Sequence, residues 1–395
     1  MQLTFLSRRV HKSYTQLDNT SSELQQVQMF RSVAINVETI LDRRKHLNKN
    51  SDTGSSDPSA IVEVKGRGLH SSSVTPPHMG PHEAREFRIE DLEQATNYFD
   101  EKNLIGCGRL GLVYKGLLQD GTIVAIKRRA SVPQQEFVEE VAYWSGISHR
   151  NLASLLGYCQ DCGYQMLVSE YLPNGSMCSH LYATGKDSAS KLEFKQRLSI
   201  ALGAAKGLCH LHSQQTPVVH SSFKTSNVMV DENFIAKVAD AGVSRLLQKI
   251  EDAGPSHSAR TNVFEDPETA QLGIYTEMSD VYSFGVFLLE LLIGQEASHI
   301  DSFGSDGSIL QWVETHLNSK DMMDHRLGGS FTTEGMKDFI RLTLRCMAPL
   351  GKGRPNMQMV VLELDRILEK EITLTTVTGE GSAQVTLGSQ LFTAK

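Results

Sequence analysis

A glycine-rich run between two strand-like stretches is the feature that most constrains the fold of this chain. Residues 105–116 read Ile-Gly-Cys-Gly-Arg-Leu-Gly-Leu-Val-Tyr-Lys-Gly. Gly106, Gly108 and Gly111 let the backbone approach phosphate groups closely, because glycine carries no side chain. The same spacing also marks dinucleotide-binding folds, so the run alone does not decide the ligand. The strand-like run Val124-Ala125-Ile126-Lys127 follows at the distance that a second strand would require.

Composition is that of an ordinary globular protein. Of the 395 residues, 40% are hydrophobic and 22% are charged, which is enough for a real core. The formal net charge of −7 argues against nonspecific binding to nucleic acid. No apolar run approaches the about 18 residues that a membrane span needs, and the amino terminus resembles neither a secretory signal nor a myristoylation site. The sequence therefore predicts a cytoplasmic chain.

The six cysteines are scattered, with a single C-x-x-C pair at Cys159 and Cys162. A zinc site of this type needs a second pair, so we expect free thiols in a reducing compartment.

Shifts in pattern divide the chain into segments. Within residues 1–49, apolar side chains recur every three or four positions, which predicts an amphipathic helix that packs on its own domain or pairs with a partner in a coiled coil. A run rich in Ser, Pro, Gly and Asp predicts a flexible linker. A β-rich stretch followed by a helical stretch predicts an α+β fold of two lobes. The predicted segments after the first are the linker 50–85, a short ordered segment 86–101, the main domain 102–370 (lobes 102–172 and 173–370) and a loosely ordered tail 371–395.

Further strings downstream carry a family resemblance. They are His-Ser-Ser-Phe-Lys-Thr-Ser-Asn at 220–227, Ala-Lys-Val-Ala-Asp-Ala-Gly at 236–242, Asp-Pro-Glu at 266–268, Ser-Asp-Val-Tyr-Ser-Phe-Gly at 279–285 and Gly-Arg-Pro at 353–355. In this order, and with the glycine-rich run and Lys127, they resemble a bilobal protein kinase. The amino-acid sequence most resembles that of plant receptor-like Ser/Thr kinases, as in the runs 87–99, 149–152, 156–159, 171–176 and 354–357. Such domains usually follow a membrane helix and a leucine-rich-repeat ectodomain.

The resemblance implies an ATP site with magnesium. Val113 would cover the adenine ring, and Lys127 would contact the α- and β-phosphates. A carboxylate must hold that lysine; the register Phe-x-x-Glu-Val favours Glu140 over its neighbour Glu139. Asp240 and Asn227 would each bind a magnesium ion. Ile105, Ala125, Gly106, Gly108 and Gly111 complete the implied nucleotide site, and Glu268 is expected to pair with Arg354.

Four departures from the family pattern fall in the catalytic half. Ser222 stands where kinases have the aspartate base, although Lys224 is kept. A hydroxyl cannot take a proton near neutral pH, so base assistance worth about 10²–10⁴-fold should be lost. Ser221 replaces the arginine that meets a phosphorylated activation loop. Ala241 replaces the phenylalanine of D-F-G, and residues 260–266 lack a glycine that the family has in the peptide-docking loop.

The implied function is that of a pseudokinase that binds ATP and magnesium. It would act as a scaffold or allosteric partner of an active kinase or receptor complex, with no nucleic acid involved. Two alternatives remain open: a slow but active Ser/Thr kinase, and a kinase-fold adaptor without nucleotide. Partners, or a membrane segment encoded upstream, would place the chain at the cytoplasmic face of the plasma membrane.

Overall fold

A computed structural model describes residues 84–182, 192–250, 262–299, 323–327 and 331–376. All of them belong to one compact unit, Pro77–Lys395. The helix predicted before residue 50, almost all of the linker, and the tail beyond residue 376 lie outside the described residues. None of the helices in these ranges combines the length and the apolar character needed to cross a membrane.

The first lobe is a six-stranded sheet flanked by two helices. Its strand order is β1-β5-β6-β4-β3-β2; β1 runs parallel to β5, and the other neighbours are antiparallel. The elements are β1 (Arg85–Glu86), α1 (Ile89–Ala95), β2 (Leu104–Gly108), β3 (Gly111–Leu117), β4 (Ile123–Ala130), α2 (Gln135–Ser145), β5 (Leu155–Asp161) and β6 (Tyr164–Glu170).

The lobe begins before the predicted boundary at residue 102. Phe87, Ile89 and Leu92 are buried in its core. Strand β1 reaches β5 at Gly157, where a Cβ would lie 1.9 Å from the carbonyl oxygen of Arg85. Only glycine permits this approach, so the segment before residue 102 is an integral part of the sheet.

The second lobe is helical and is built around a helix that is buried from its third residue to its end. Its elements are α3 (Met177–Leu181), α4 (Phe194–His212), β7 (Val228–Val230), β8 (Ala236–Val238), α5 (Val243–Ile250), α6 (Pro267–Leu272), α7 (Glu277–Ile293), α8 (Thr333–Cys346) and α9 (Met357–Thr376). Every residue of α7 from Ser279 to Ile293 is buried. The predicted α+β fold with a β-rich lobe and a helical lobe is confirmed.

The last helix continues past the predicted start of the tail at residue 371. Glu371 is fully buried and accepts a hydrogen bond from the backbone N–H of Thr332, just before α8. A buried carboxylate needs such partners, and the helix α9 continues beyond Glu371 to Thr376.

Candidate functional site

A cavity of about 490 Å³ lies between the lobes and gathers most of the predicted site residues. Its lining includes Ile105, Gly106, Gly108, Val113, Ala125, Lys127, Ser222, Lys224, Asn227 and Asp240. Two predicted site residues, Gly111 and Glu140, are not part of this lining. Gly111 instead permits a tight hairpin: its φ is +94°, and a Cβ there would lie 2.3 Å from the carbonyl oxygen of Arg128.

Lys127 and Asp240 are in direct contact across the cavity. The lysine therefore meets the carboxylate that was predicted to bind magnesium. Burial lowers the pKa of Lys127 to about 8. The two groups that should face the phosphates thus neutralise each other in this conformation.

Lys127 and Glu140 do not form the predicted ion pair in the part of the chain that the structure describes. The Glu140 side chain is 1% exposed, as a carboxylate that faces inward should be, whereas Glu139 is exposed. The partners of Glu140, however, come from helix α5. Arg245 Nε lies 2.9 Å from one of its oxygens and Lys249 Nζ lies 2.5 Å from the other. A buried carboxylate takes the nearest cations, and α5 brings two of them closer than Lys127.

Helix α5 begins three residues after Asp240 and packs against α2. Its apolar side chains share one buried cluster with α2 and with the tip of the glycine-rich loop. From α5 this cluster contains Val243, Leu246, Leu247 and Ile250, and from the other two elements Phe137, Val141 and Leu110. A packed helix therefore follows Asp240, in the part of the chain that forms the activation segment in kinases.

Trp144 lies next to Ala241, the residue that replaces the phenylalanine of D-F-G. A Cβ on Gly242 would lie 1.8 Å from the indole ring, so the ring is pressed against the backbone there. The indole N–H donates to Glu140 at 2.8 Å. A cavity of about 70 Å³ remains beside these residues. The indole ring thus packs beside Ala241 and Gly242, next to the position where the phenylalanine ring of D-F-G is missing.

The loop at 220–222 keeps a defined backbone without its arginine and aspartate. The carboxylate of Asp280 accepts from the backbone N–H of His220 at 2.7 Å and of Ser221 at 2.9 Å. Burial lowers the pKa of His220 against the opposing charge of Asp280, so the imidazole is neutral. It donates from Nε2 to the carbonyl of Ala239 and accepts from Ser222 N–H at Nδ1. Both ring nitrogens are used, so His220 is not a substitute base.

Only two acidic side chains occur among the described residues that line the cavity, Asp240 and Glu170. Asp240 contacts Lys127. Glu170 binds Lys237 Nζ at 3.0 Å and accepts from the backbone N–H of Ser154. Neither carboxylate is available beside Ser222 to take a proton from a substrate hydroxyl.

The expected pair between Glu268 and Arg354 is replaced by another. Arg354 donates to both oxygens of Asp266, at 2.7 and 2.8 Å, in a fully buried contact. Asp266 also caps α6 by accepting from the backbone N–H of Glu268. Glu268 instead accepts from the N–H of Gly351 at 2.7 Å. The shorter aspartate, two residues earlier, takes the arginine because its position at the helix cap already faces it.

Comparison with known proteins agrees with this geometry. Residues 99–364, more than half of the chain, match the model of the protein tyrosine and serine/threonine kinase family. The chain belongs to this family. Its kinase domain is similar to that of the receptor-like protein kinase THESEUS 1 of Arabidopsis thaliana, with 38% identity over 300 residues covering 74% of this chain and 35% of the relative. A probable leucine-rich repeat receptor-like protein kinase of the same plant is 37% identical over 72% of this chain and 30% of its own length.

A solved structure is similar as well. The pseudokinase domain of BIR2, described as an immune regulator of the RLK/Pelle family, matches with a TM-score of 0.59 and 31% identity. The match covers 71% of this chain and 86% of that one. The chain spans about a third of the length of the first curated relatives that it matches. The names of these relatives describe different types of receptor. The kinase domain therefore belongs to the plant receptor-like kinases, and no narrower class within them is assigned.

The donor set of the kinase domain fits magnesium, which that family generally uses with ATP. Asp240 offers a carboxylate and Asn227 an amide oxygen, the hard oxygen ligands that Mg²⁺ prefers. The Asn227 side chain is positioned by donating from Nδ2 to the carbonyl of Ser222 at 2.9 Å.

Several residues of the site were not predicted from the sequence. Arg245 and Lys249 belong to none of the motifs that carry the family resemblance, although their spacing of four places them on one helix face. Trp144 stands four residues after Glu140, which places both on the same face of α2. Nothing in the sequence order indicated that these groups would meet, because their contacts join distant segments.

Proposed function

We propose that this kinase domain binds a magnesium nucleotide and acts as a pseudokinase, with a conformational rather than a chemical output. The observation that carries the proposal is the absence of an available base among the described residues of the cleft. Ser222 occupies the base position, and the two carboxylates lining the cleft are already paired. The groups suited to phosphates and magnesium remain: Lys127, Asn227 and Asp240.

The residues have distinct roles in this proposal. Lys127 attracts the phosphates once it leaves Asp240, and Asp240 and Asn227 hold the metal. Bound magnesium would neutralise charge on the phosphate oxygens. Lys224 faces the same cavity and adds a positive charge near the phosphates. Ser222 holds no proton-accepting group, so a substrate hydroxyl there keeps its proton.

Two measurements test the proposal. Magnesium and ATP should raise the melting temperature of the full chain, because a ligand that binds the native state stabilises it. Lys127→Met should abolish that shift. Labelled ATP should give transfer to a peptide pool reduced by about 10²–10⁴-fold relative to an active receptor-like kinase.

The variant Ser222→Asp provides the matched gain-of-function control. It restores a carboxylate at the base position and should raise transfer above the wild-type level. Wild-type transfer close to that of an active kinase would contradict the pseudokinase role and favour a catalytically active Ser/Thr kinase. A melting temperature unchanged by ATP and magnesium would favour the nucleotide-free adaptor.

We further propose that an active kinase or a receptor complex is the partner that responds to the conformation of this domain. The similarity to the pseudokinase domain of BIR2, an immune regulator of the RLK/Pelle family, supports this class of partner. Co-purification of the full chain with receptor-like kinases, compared between wild type and Lys127→Met, tests whether nucleotide binding controls the association.

A further inference from the structure

Two imidazole rings stack where the first lobe meets the second. His149 lies in the loop between α2 and β5, and His210 lies in the last turn of α4. The ring centroids are 4.7 Å apart, and the ring planes differ by 16°. Neither ring belongs to the lining of the cleft described above. The stack instead joins a loop of one lobe to a helix of the other.

The hydrogen bonds at both rings require neutral imidazoles. His149 Nδ1 accepts from the backbone N–H of Asn151 at 3.2 Å. His210 Nε2 accepts from the side-chain amide of Gln214 at 3.2 Å. The same amide nitrogen donates to the carbonyl of His210 at 2.8 Å, so it is the donor in both contacts. A proton added to either ring nitrogen would face an N–H group, and the hydrogen bond there would be lost.

Basic groups alone face His149. They are His210 and Lys206 from α4 and Arg150 from the same loop, and no carboxylate of the described residues is among them. Burial, followed by these neighbouring charges, lowers the pKa of His149. A positive charge on this ring would therefore be partly buried without an anionic partner, which destabilises its surroundings.

The loop that carries His149 is docked on the second lobe through Asn151. The carbonyl of Asn151 accepts from the backbone N–H of Val238 at 2.9 Å, and its side-chain amide donates to the carbonyl of Ala236 at 2.8 Å. Strand β8 ends at Val238, two residues before Asp240 of the cleft. A disturbance at Asn151 therefore reaches the strand that leads into the cleft.

We propose that the stack of His149 on His210 is an acid-sensitive fastening between the two lobes. Protonation of His149 at Nδ1 replaces the hydrogen bond from Asn151 with repulsion between two N–H groups. The loop then loosens from α4 and β8. Because the pKa of the docked His149 lies below its ordinary value of about 6.5, the docked state keeps its full stability above that pH and loses it as the pH falls below.

Hydrogen–deuterium exchange of the full chain at pH 7.5 and pH 5.5 tests the proposal, with each rate divided by the intrinsic rate at that pH. Protection of the amides in 147–153 and 236–240 should fall at pH 5.5, by at most about tenfold for each pH unit below 6.5. Peptides from α9 report the stability of the whole domain and should change less. No loss in 147–153, or an equal loss in α9, would overturn the proposal.

The variant His149→Asn removes the titrating ring but keeps an acceptor, because an asparagine side chain can accept from the backbone N–H two residues later. Its protection in 147–153 should be the same at both pH values. The matched control is His325→Asn, since the His325 side chain is 94% exposed. The control should lose protection in acid as the wild type does. Acid sensitivity that persists in His149→Asn would overturn the proposal.

A second measurement decides if His149→Asn does not fold. Titration of the His149 ring in the wild-type chain, followed by nuclear magnetic resonance, should give a midpoint below 6.5. A midpoint at or above 6.5 would overturn the proposal, because the docked loop would then hold the proton at least as well as the unfolded chain does.

Discussion

Asp266 and Arg354 form a buried ion pair with two hydrogen bonds, and the pair ties the start of α6 to the loop before α9. Burial raises the pKa of Asp266, but the hydrogen bonds from Arg354 outweigh it, so the pKa lies below its usual value. The carboxylate therefore stabilises the fold in its charged form.

Replacing Asp266 by Ala should lower the free energy of unfolding by about 3–5 kcal/mol, because Arg354 is left buried and unpaired. The matched control is Glu265→Ala, an exposed neighbour in the sequence. Urea unfolding of both variants measures the difference. Equal effects of the two substitutions would contradict the assigned pair.

The same carboxylate predicts a loss of stability in acid. Its pKa in the folded protein lies below the unfolded value of about 3.9, so the contribution is present above that value and is lost as the pH falls through the lower folded pKa. Urea midpoints measured between pH 5 and pH 3 should fall more steeply for the wild type than for Asp266→Asn. Parallel curves would show that this carboxylate is not the group that titrates.

Trp144 and Ala241 should show coupled effects on stability. Trp144→Leu leaves a cavity and Ala241→Phe overfills the site, each costing about 1–3 kcal/mol or more. The double variant puts the ring back where most kinases have it and should cost less than the sum of the two. A double-mutant cycle from urea unfolding gives the coupling energy. Strict additivity would mean that the indole does not replace the missing ring.

The segment before residue 102 should contribute fully to the stability of the first lobe. Leu92 of α1 is completely buried, so Leu92→Ala should lower the free energy of unfolding by about 2–5 kcal/mol. Gln94→Ala changes an exposed position of the same helix and should stay within about 0.5 kcal/mol of the wild type. Similar small losses for both would place α1 outside the cooperative unit.

Nucleotide affinity should weaken in alkali. Burial lowers the pKa of Lys127 to about 8, so above that pH the free protein holds a neutral amine that must gain a proton before it can attract phosphate. Phosphate charge raises the pKa in the complex, and affinity should therefore fall by at most about tenfold per pH unit above pH 8. Calorimetric titrations from pH 7 to 9.5 measure this slope. The variant Lys127→Arg, which stays charged, should give a flat profile if it still binds.

The two lobes could be predicted from local patterns of strands and helices, and most of the cleft lining could be predicted from the family resemblance that the short motifs carry. The glycine spacing and the run ending in Lys127 are short, and each fixes its own backbone. The choice of Glu140 over Glu139 was also local, since only one of the two can face inward from α2.

The pairing of charges could not be predicted, because it depends on which of several conformations the chain adopts. Glu140 can meet Lys127 or Arg245 with similar chemistry, and the sequence contains both partners. Likewise Arg354 could meet Glu268 or Asp266, which stand two residues apart. Trp144 as the replacement for a lost ring required knowing that α2 lies against Gly242, a contact between distant segments.

The most direct test of the central claim is a single-turnover experiment with the full chain, magnesium, a Ser/Thr peptide pool and ATP labelled on the γ-phosphate at less than stoichiometric amounts. The account predicts that the label is bound by the protein and recovered as intact ATP, and that Lys127→Met retains none of it. Transfer of the label to the peptides, or to the protein itself, at a rate within about tenfold of an active receptor-like kinase would contradict it, since the missing base should cost more than that.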